Sequence, residues 1–270
     1  DVVCVAVDPS DSRRVYLGSF SHGIVELYNE KVVNVYERYN STLTPVTGWN
    51  AYVFVSGLAF DKKHNLWAVN CEADKLLSMK SDKGVWTSYN VGAGAGYTGR
   101  LVIDKNDYKW IHMRDGSFIV FDDTKYKTVS TAEGHGGLPG TGNCCAVDSK
   151  GTVWAGCAGH AVYFNEKTGV NGIIRCNNKD IDQAECFCEV DGKILIGSSD
   201  GLTVCDMTSK ESFSIDLSKR YSKLTNIIRN GNHIWSSTNN GIVCIDKKDL
   251  KNHNDAAIKK PFTSFGGLFI

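Results

Sequence analysis

No apolar run in the 270 residues approaches the roughly 20 that a membrane-crossing helix needs. No positively charged stretch precedes the strand-like opening Val2-Val3-Cys4-Val5. Neither a spanning helix nor a leader is therefore expected within the segment, and direct membrane insertion is not expected. Net charge is missing too: 30 Lys and Arg balance 30 Asp and Glu. Without a long-range positive field, nucleic acid is not an expected partner. Helical periodicity, with apolar residues at i, i+3, i+4 and i+7, is not found, so helix should be scarce. The ten cysteines contain no C-x-x-C, and a chain this long does not need disulfide staples. Cys4, Cys144, Cys145, Cys186, Cys188, Cys205 and Cys244 stand in apolar strand-like runs, where a free thiol behaves as a small buried hydrophobe. The seven histidines are dispersed, none sharing a strand with a second ligand at metal spacing, so neither a metal nor another cofactor is expected.

What the chain does have is a repeat. An apolar strand ending in Asp, a polar turn and an apolar anchor recur in Val5-Ala6-Val7-Asp8 with Tyr16, Leu58-Ala59-Phe60-Asp61 with Trp67, Leu101-Val102-Ile103-Asp104 with Trp110, and Cys145-Ala146-Val147-Asp148 with Trp154. Two looser copies carry Cys188-Glu189-Val190-Asp191 with Leu195 and Ile227-Ile228-Arg229-Asn230 with Trp235. Successive anchors lie 51, 43, 44, 41 and 40 residues apart, the spacing of four-stranded propeller blades. The expected fold is all-β: a propeller of six repeats of about 40 residues with four-stranded antiparallel blades, a seven-bladed ring being the alternative. Phe265-Gly266-Gly267-Leu268-Phe269-Ile270 is expected to add a strand. Residues 1–270 read as a single propeller domain, a fragment of a longer multidomain protein whose export signal lies outside this segment.

Gly137-Leu138-Pro139, Cys145-Ala146-Val147-Asp148, Gly151 and Val153-Trp154-Ala155-Gly156-Cys157 resemble the two-component-regulator propeller repeat, with Cys in a Thr position. Val5 to Asp11, Val15 to Ser19, Gly23 to Leu27, Tyr39-Asn40-Ser41 and Val55 to Asp61 resemble the first propeller of the PorZ-like family of the type IX secretion system. The resemblance implies a non-enzymatic scaffold of the bacterial cell envelope, in the periplasm or on the outer surface. Its loops would meet a protein partner, sortase-like or the chain's own neighbouring domains, or an anionic lipopolysaccharide or other glycan. The alternative it implies is the periplasmic glycan-sensing domain of a hybrid two-component histidine kinase.

Two catalytic motifs are matched in letters alone. Gly197-Ser198-Ser199-Asp200-Gly201 fits the hydrolase elbow G-x-S-x-G, but the same small polar residues recur in the equivalent turns Gly18 to Gly23 and Ser237 to Gly241. Gly94-Ala95-Gly96-Tyr97-Thr98-Gly99 fits G-x-G-x-x-G, yet it leads into a strand instead of opening a helix. The recurring Asp8, Asp61, Asp104, Asp148 and Asp191 are expected to cap turns. No catalytic residue is assigned. The candidate binding residues are exposed aromatics: Trp49 and Tyr52 in the long insertion Tyr39 to Val53, and Tyr97 in the Gly-rich loop. That insertion accounts for the first spacing of 51, and loops of such length are often functional.

Overall fold

The computed structural model describes residues 1–92, 98–113, 117–129, 144–157, 159–165, 168–215 and 223–251. The fold is a six-bladed β-propeller, each blade an antiparallel meander in chain order. Its contacts divide into two compact units, Asp1–Gly137 and Leu138–Ile270.

In the first unit, blade 1 consists of β1 (Val2–Val7), β2 (Arg14–Ser19), β3 (Ile24–Tyr28) and β4 (Lys31–Tyr36). Blade 2 consists of β5 (Val55–Phe60), β6 (Leu66–Asn70), β7 (Leu77–Lys80) and β8 (Trp86–Tyr89), and blade 3 of β9 (Thr98–Ile103), β10 (Lys109–Met113), β11 (Phe118–Phe121) and β12 (Tyr126–Val129). Central strands such as β6 are buried along their whole length, because neighbouring blades cover both faces, whereas the outer strand β4 is almost wholly exposed. One core joins blades 1 and 2 through Tyr16, Ile24, Val55 and Leu66, and another joins blades 2 and 3 through Trp67, Leu77, Leu101 and Ile111.

In the second unit, blade 4 has β13 (Cys144–Val147), β14 (Val153–Cys157), β15 (His160–Phe164) and β16 (Asn171–Cys176), extended by the two-residue β17 (Lys179–Asp180). Blade 5 has β18 (Cys186–Val190), β19 (Lys193–Ser198), β20 (Gly201–Asp206) and β21 (Ser212–Ile215). Blade 6 shows three strands among the described residues, β22 (Leu224–Asn230), β23 (His233–Thr238) and β24 (Gly241–Asp246), followed by a short 3-10 turn over Lys247–Lys251. The additional strand expected at Phe265 to Ile270 lies outside the described residues, as does Gly137-Leu138-Pro139.

Five of the six anchors are buried: Tyr16, Trp67, Trp110, Trp154 and Leu195. Removing a Trp side chain of ~150 to 250 Å² from water is worth about 4 to 6 kcal/mol as an upper bound. Trp235 departs from the pattern and is half-buried, with Ile234 filling the core beside it.

Asp61, Asp104 and Asp148 do cap turns, each with Oδ1 accepting backbone N–H groups two and four residues on. Their other oxygen accepts the indole Nε1–H of the anchor six residues on, at 2.8, 3.1 and 2.9 Å. Asp8 accepts the N–H of Ser10. Asp191 does not conform. The hairpin between β18 and β19 has only Asp191 and Gly192 at its tip, both at positive φ, leaving no longer turn for the carboxylate to cap. Asp191 instead faces Arg229 and Lys247.

Candidate functional site

The insertion after β4 begins on the outer strand of blade 1 and returns to start blade 2. Leu43 and Val53 drop into the core of blades 1 and 2. Between them the chain is pinned by Asn70, whose side chain is fully buried at the end of β6. Asn70 Nδ2 donates to the carbonyls of Thr44 (3.0 Å) and Phe54 (3.2 Å), and its Oδ1 accepts the Thr44 N–H (2.8 Å). The Thr47 N–H donates to the Glu72 carbonyl at 2.8 Å and the Cys71 N–H to that of Phe54 at 2.9 Å. A tight loop then closes on itself, with Trp49 N–H bonded to Val46 O, Tyr52 N–H to Trp49 O and Val46 N–H to Tyr52 O. Gly48 takes a φ of 84° at its tip, a left-handed conformation that favours glycine.

That closure places the rings of Trp49 and Tyr52 edge to face, 5.7 Å between centroids. A second pair stands beside it. Val53 N–H donates to Ser21 O and Gly23 N–H to Val53 O, so the β2–β3 connection lies against the returning chain, with the Phe20 and Phe54 rings 4.7 Å apart. Trp49, Phe20 and Tyr52 keep 64, 54 and 41% of their surface exposed. With Val46 and Glu72 the four rings line a pocket of about 410 Å³. A loop serving only as a plug would bury its large side chains; this one buries Leu43 and Val53 and holds its aromatics out to solvent.

Of the candidate binding residues, Trp49 and Tyr52 are thus brought together, and Tyr97 lies outside the described residues. Phe20, Phe54 and Glu72 were not singled out from the sequence. Phe20 carried a readable signal, since it stands in a turn whose counterparts at Gly197 to Gly201 and Ser237 to Gly241 hold only small polar residues. Glu72 carried none; only the fold brings it to this loop.

A second pocket, polar and about 430 Å³, opens between blades 1 and 2 and includes Glu26. The Glu26 carboxylate is buried on β3 and accepts Tyr36 Oη–H (2.6 Å), Asn34 Nδ2–H (3.0 Å), Tyr16 Oη–H (3.3 Å) and an Arg14 guanidinium N–H. Burial alone would raise its pKa, but these donors outweigh it and hold the carboxyl below its ordinary range. Burial and the neighbouring carboxylate push the Tyr16 hydroxyl up to about 12. Standing on β3, the carboxylate accepts from both flanking strands, β2 and β4, so it ties three strands of blade 1 together.

Of the two catalytic motifs matched in letters, Gly94-Ala95-Gly96-Tyr97-Thr98-Gly99 falls largely outside the described residues, and the other is structural. Gly197-Ser198-Ser199-Asp200-Gly201 is the hairpin between β19 and β20, strand to strand instead of strand to helix, so it lacks the geometry of a nucleophile elbow. Its Ser198 hydroxyl is occupied locally, donating to Gly201 O and accepting the Asp200 N–H. Nine of the thiols fall among the described side chains, six of them buried. Burial raises the pKa of Cys188 and that of Cys205, the latter to about 11. Among the described residues no three His, Cys, Asp or Glu side chains gather as a metal site. No described helix is long and apolar enough to cross a membrane.

No protein-family model and no curated protein matches the chain. Solved structures do. PorZ, a bacterial surface component of the type IX secretion system of Porphyromonas gingivalis, superposes with a TM-score of 0.74 at 16% identity over 90% of this chain. The extracellular domain of a hybrid two component system of B. thetaiotaomicron superposes at 0.72 with 12% identity over 91% of this chain. A catalytically inactive virginiamycin B lyase of Staphylococcus aureus, solved with quinupristin, superposes at 0.71 with 8% identity over 90% of this chain and 79% of its own. At these identities the likeness shows the propeller fold alone. The chain spans 38% of the PorZ chain and 34% of the two component one.

Proposed function

We propose that this chain is a non-catalytic binding module of the bacterial cell envelope, and that its contact surface is the aromatic pocket of Phe20, Trp49, Tyr52 and Phe54. The observation that carries this reading is the exposure of Trp49 and Tyr52 on a loop otherwise anchored by buried groups. Rigid aromatics lose little side-chain entropy on binding and offer large contact area, which is why they dominate interface hot spots. Likeness to envelope propellers supports the location. The partner is a protein, either a sortase-like enzyme or a neighbouring domain of the same polypeptide. Lipopolysaccharide is less suited to this pocket, because among the described residues its only charged lining group is the acidic Glu72.

The test is binding of the purified chain to the sortase and to the lipopolysaccharide of its own bacterium, compared with a Trp49→Ala, Tyr52→Ala variant of unchanged melting temperature. A loss of roughly 1 to 3 kcal/mol per ring, tenfold or more in affinity, is expected for the protein partner. Unchanged affinity would remove this loop as the site, and binding to lipopolysaccharide alone would assign the module to the glycan.

A further inference from the structure

The described residues use one device repeatedly: an aromatic face covered by a cation from the same chain. Arg13 and Arg14 each lie 5.1 Å from the Tyr28 ring centre, Arg38 lies 4.5 Å from Tyr39, and Lys80 about 5.5 Å from both Tyr16 and Tyr36. Lys109 lies 4.2 Å from Trp67, and Lys210 lies 4.7 Å from both Trp154 and Tyr163. Ring faces carry negative potential, and a positive charge above them is attracted, most strongly when water is partly excluded.

The four rings of the exposed pocket carry no such cover, although two of them, Phe20 and Trp49, are more than half exposed. No cation of the described chain covers Phe20, Trp49, Tyr52 or Phe54, and Glu72, which lines the same pocket, makes no ion pair among the described residues. Asp74 adds a second carboxylate at the edge of the loop, where it accepts the Thr47 hydroxyl. Among the described residues no Lys, Arg or His lines the pocket.

We propose that this pocket is a cage for a cationic side chain, the ammonium of a lysine or the guanidinium of an arginine carried by the partner protein. The proposal rests on the reading of the aromatic surface as the contact site and adds the chemistry that fills it. The stem of the incoming side chain would pack along the rings, as such stems do on apolar surface, while its charge meets the ring faces and the Glu72 carboxylate. A neutral apolar side chain would gain the packing without the charge. An anionic sugar or phosphate would meet the carboxylate with like charge.

The probes are the blocked single amino acids acetyl-lysine amide, acetyl-arginine amide, acetyl-norleucine amide and acetyl-glutamate amide, titrated into the 15N-labelled chain. The readout is the Trp49 indole N–H resonance, assigned as the one lost in Trp49→Phe among the six tryptophans. Saturable shifts with the two cations at roughly millimolar concentration are expected, together with about tenfold weaker binding in Glu72→Gln. Glu72→Gln keeps side-chain size, and an otherwise unchanged spectrum verifies its fold. Should norleucine bind as well as lysine, with no effect of Glu72→Gln, the cation proposal is overturned while the aromatic contact site stands. Should no probe move the Trp49 resonance, the cage is overturned, and the contact site is judged by the partner-binding experiment alone.

Discussion

Trp154 donates its indole Nε1–H to Oδ2 of Asp148 at 2.9 Å, and both side chains are buried. The same carboxylate ties down the turn between β13 and β14 through Lys150 and Thr152. One Asp therefore fixes a hairpin and orients the largest side chain of its blade, which explains why the Asp and the Trp recur together. Asp148→Asn separates the two roles. An amide oxygen still accepts the turn N–H groups, but the remaining position now holds an NH₂, which cannot accept from the indole. The expected cost is about 1 to 3 kcal/mol in urea denaturation, the penalty for a buried donor left unmade. Stability equal to the parent would show that only the turn depends on the carboxylate.

The Asp and Trp pattern was legible because it is local: strand, turn and anchor fall within one short stretch, and apolar alternation gives their order. Where the turn shortens to Asp191-Gly192 or Gly231-Asn232, the pattern loosens: Asp191 faces Arg229 and Lys247 instead of its anchor, and Asn230 stands in the Asp position of the last unit. Lys109 shows what was not legible. Its side chain is fully buried against Trp67 and paired with Asp123, contacts between residues 42 and 14 positions apart that no local pattern announces. The third strand of blade 2, Leu77–Lys80, and the short β17 were likewise not picked out, the first following a connection, Cys71 to Leu76, without glycine and the second being only two residues long. The candidate site divides the same way. Trp49 and Tyr52 were flagged by loop length, whereas Phe20 and Glu72 reach them only through long-range contacts.

Acid should weaken the first unit through Glu26 and Asp61. Burial opposes ionisation of both, yet hydrogen bonds from Tyr36, Asn34 and Arg14 to Glu26, and from Trp67 and Asn65 to Asp61, hold their folded pKa values below the unfolded ones of about 4. Their stabilisation is therefore complete above the unfolded value and is lost as pH falls through the folded value. A Glu26→Gln variant should be less stable than the parent near neutrality and should approach it as the pH falls below about 4. A gap that does not change with pH would mean that the charge of Glu26 contributes nothing.

Cys4 lies opposite Gly18, its thiol donating to the carbonyl of Val55 at 3.6 Å. A Cβ on Gly18 would stand 2.4 Å from that sulfur and 3.0 Å from Val55 Cγ1. The pair recurs as Cys186 with Gly197, where a Cβ would meet the sulfur at 2.5 Å. Gly18→Ala should cost about 1 to 3 kcal/mol by overpacking, and Cys4→Ala should recover part of it in the double variant. Burial pushes the Cys4 thiol up to about 12, so its alkylation should be slow until urea unfolds the chain. Rapid native-state labelling of Cys4, read by mass spectrometry, would contradict the packing.

Asn70 holds the contact loop from beneath. Asn70→Ala leaves the N–H and C=O of Thr44 without their amide partner, and Phe54 O without one of its two donors. Each unmade bond costs about 1 to 3 kcal/mol if it stays buried, which favours local opening of the loop over retention of the closed form. Leu43 and Val53 resist this by their burial, so the opening should be confined to the segment between them. Hydrogen exchange should therefore quicken at Thr44, Thr47 and Trp49, whose N–H groups bond Asn70, Glu72 and Val46, while β10 and β19 keep their protection. The edge-to-face arrangement of Trp49 and Tyr52 depends on the same closure, so partner affinity should fall with the loop even though neither ring is altered. Exchange at Thr44 and Thr47 equal to the parent would show that the two buried apolar side chains hold the loop unaided. A rise spread evenly over all blades would place Asn70 in the stability of the whole fold instead of in the presentation of its aromatic surface.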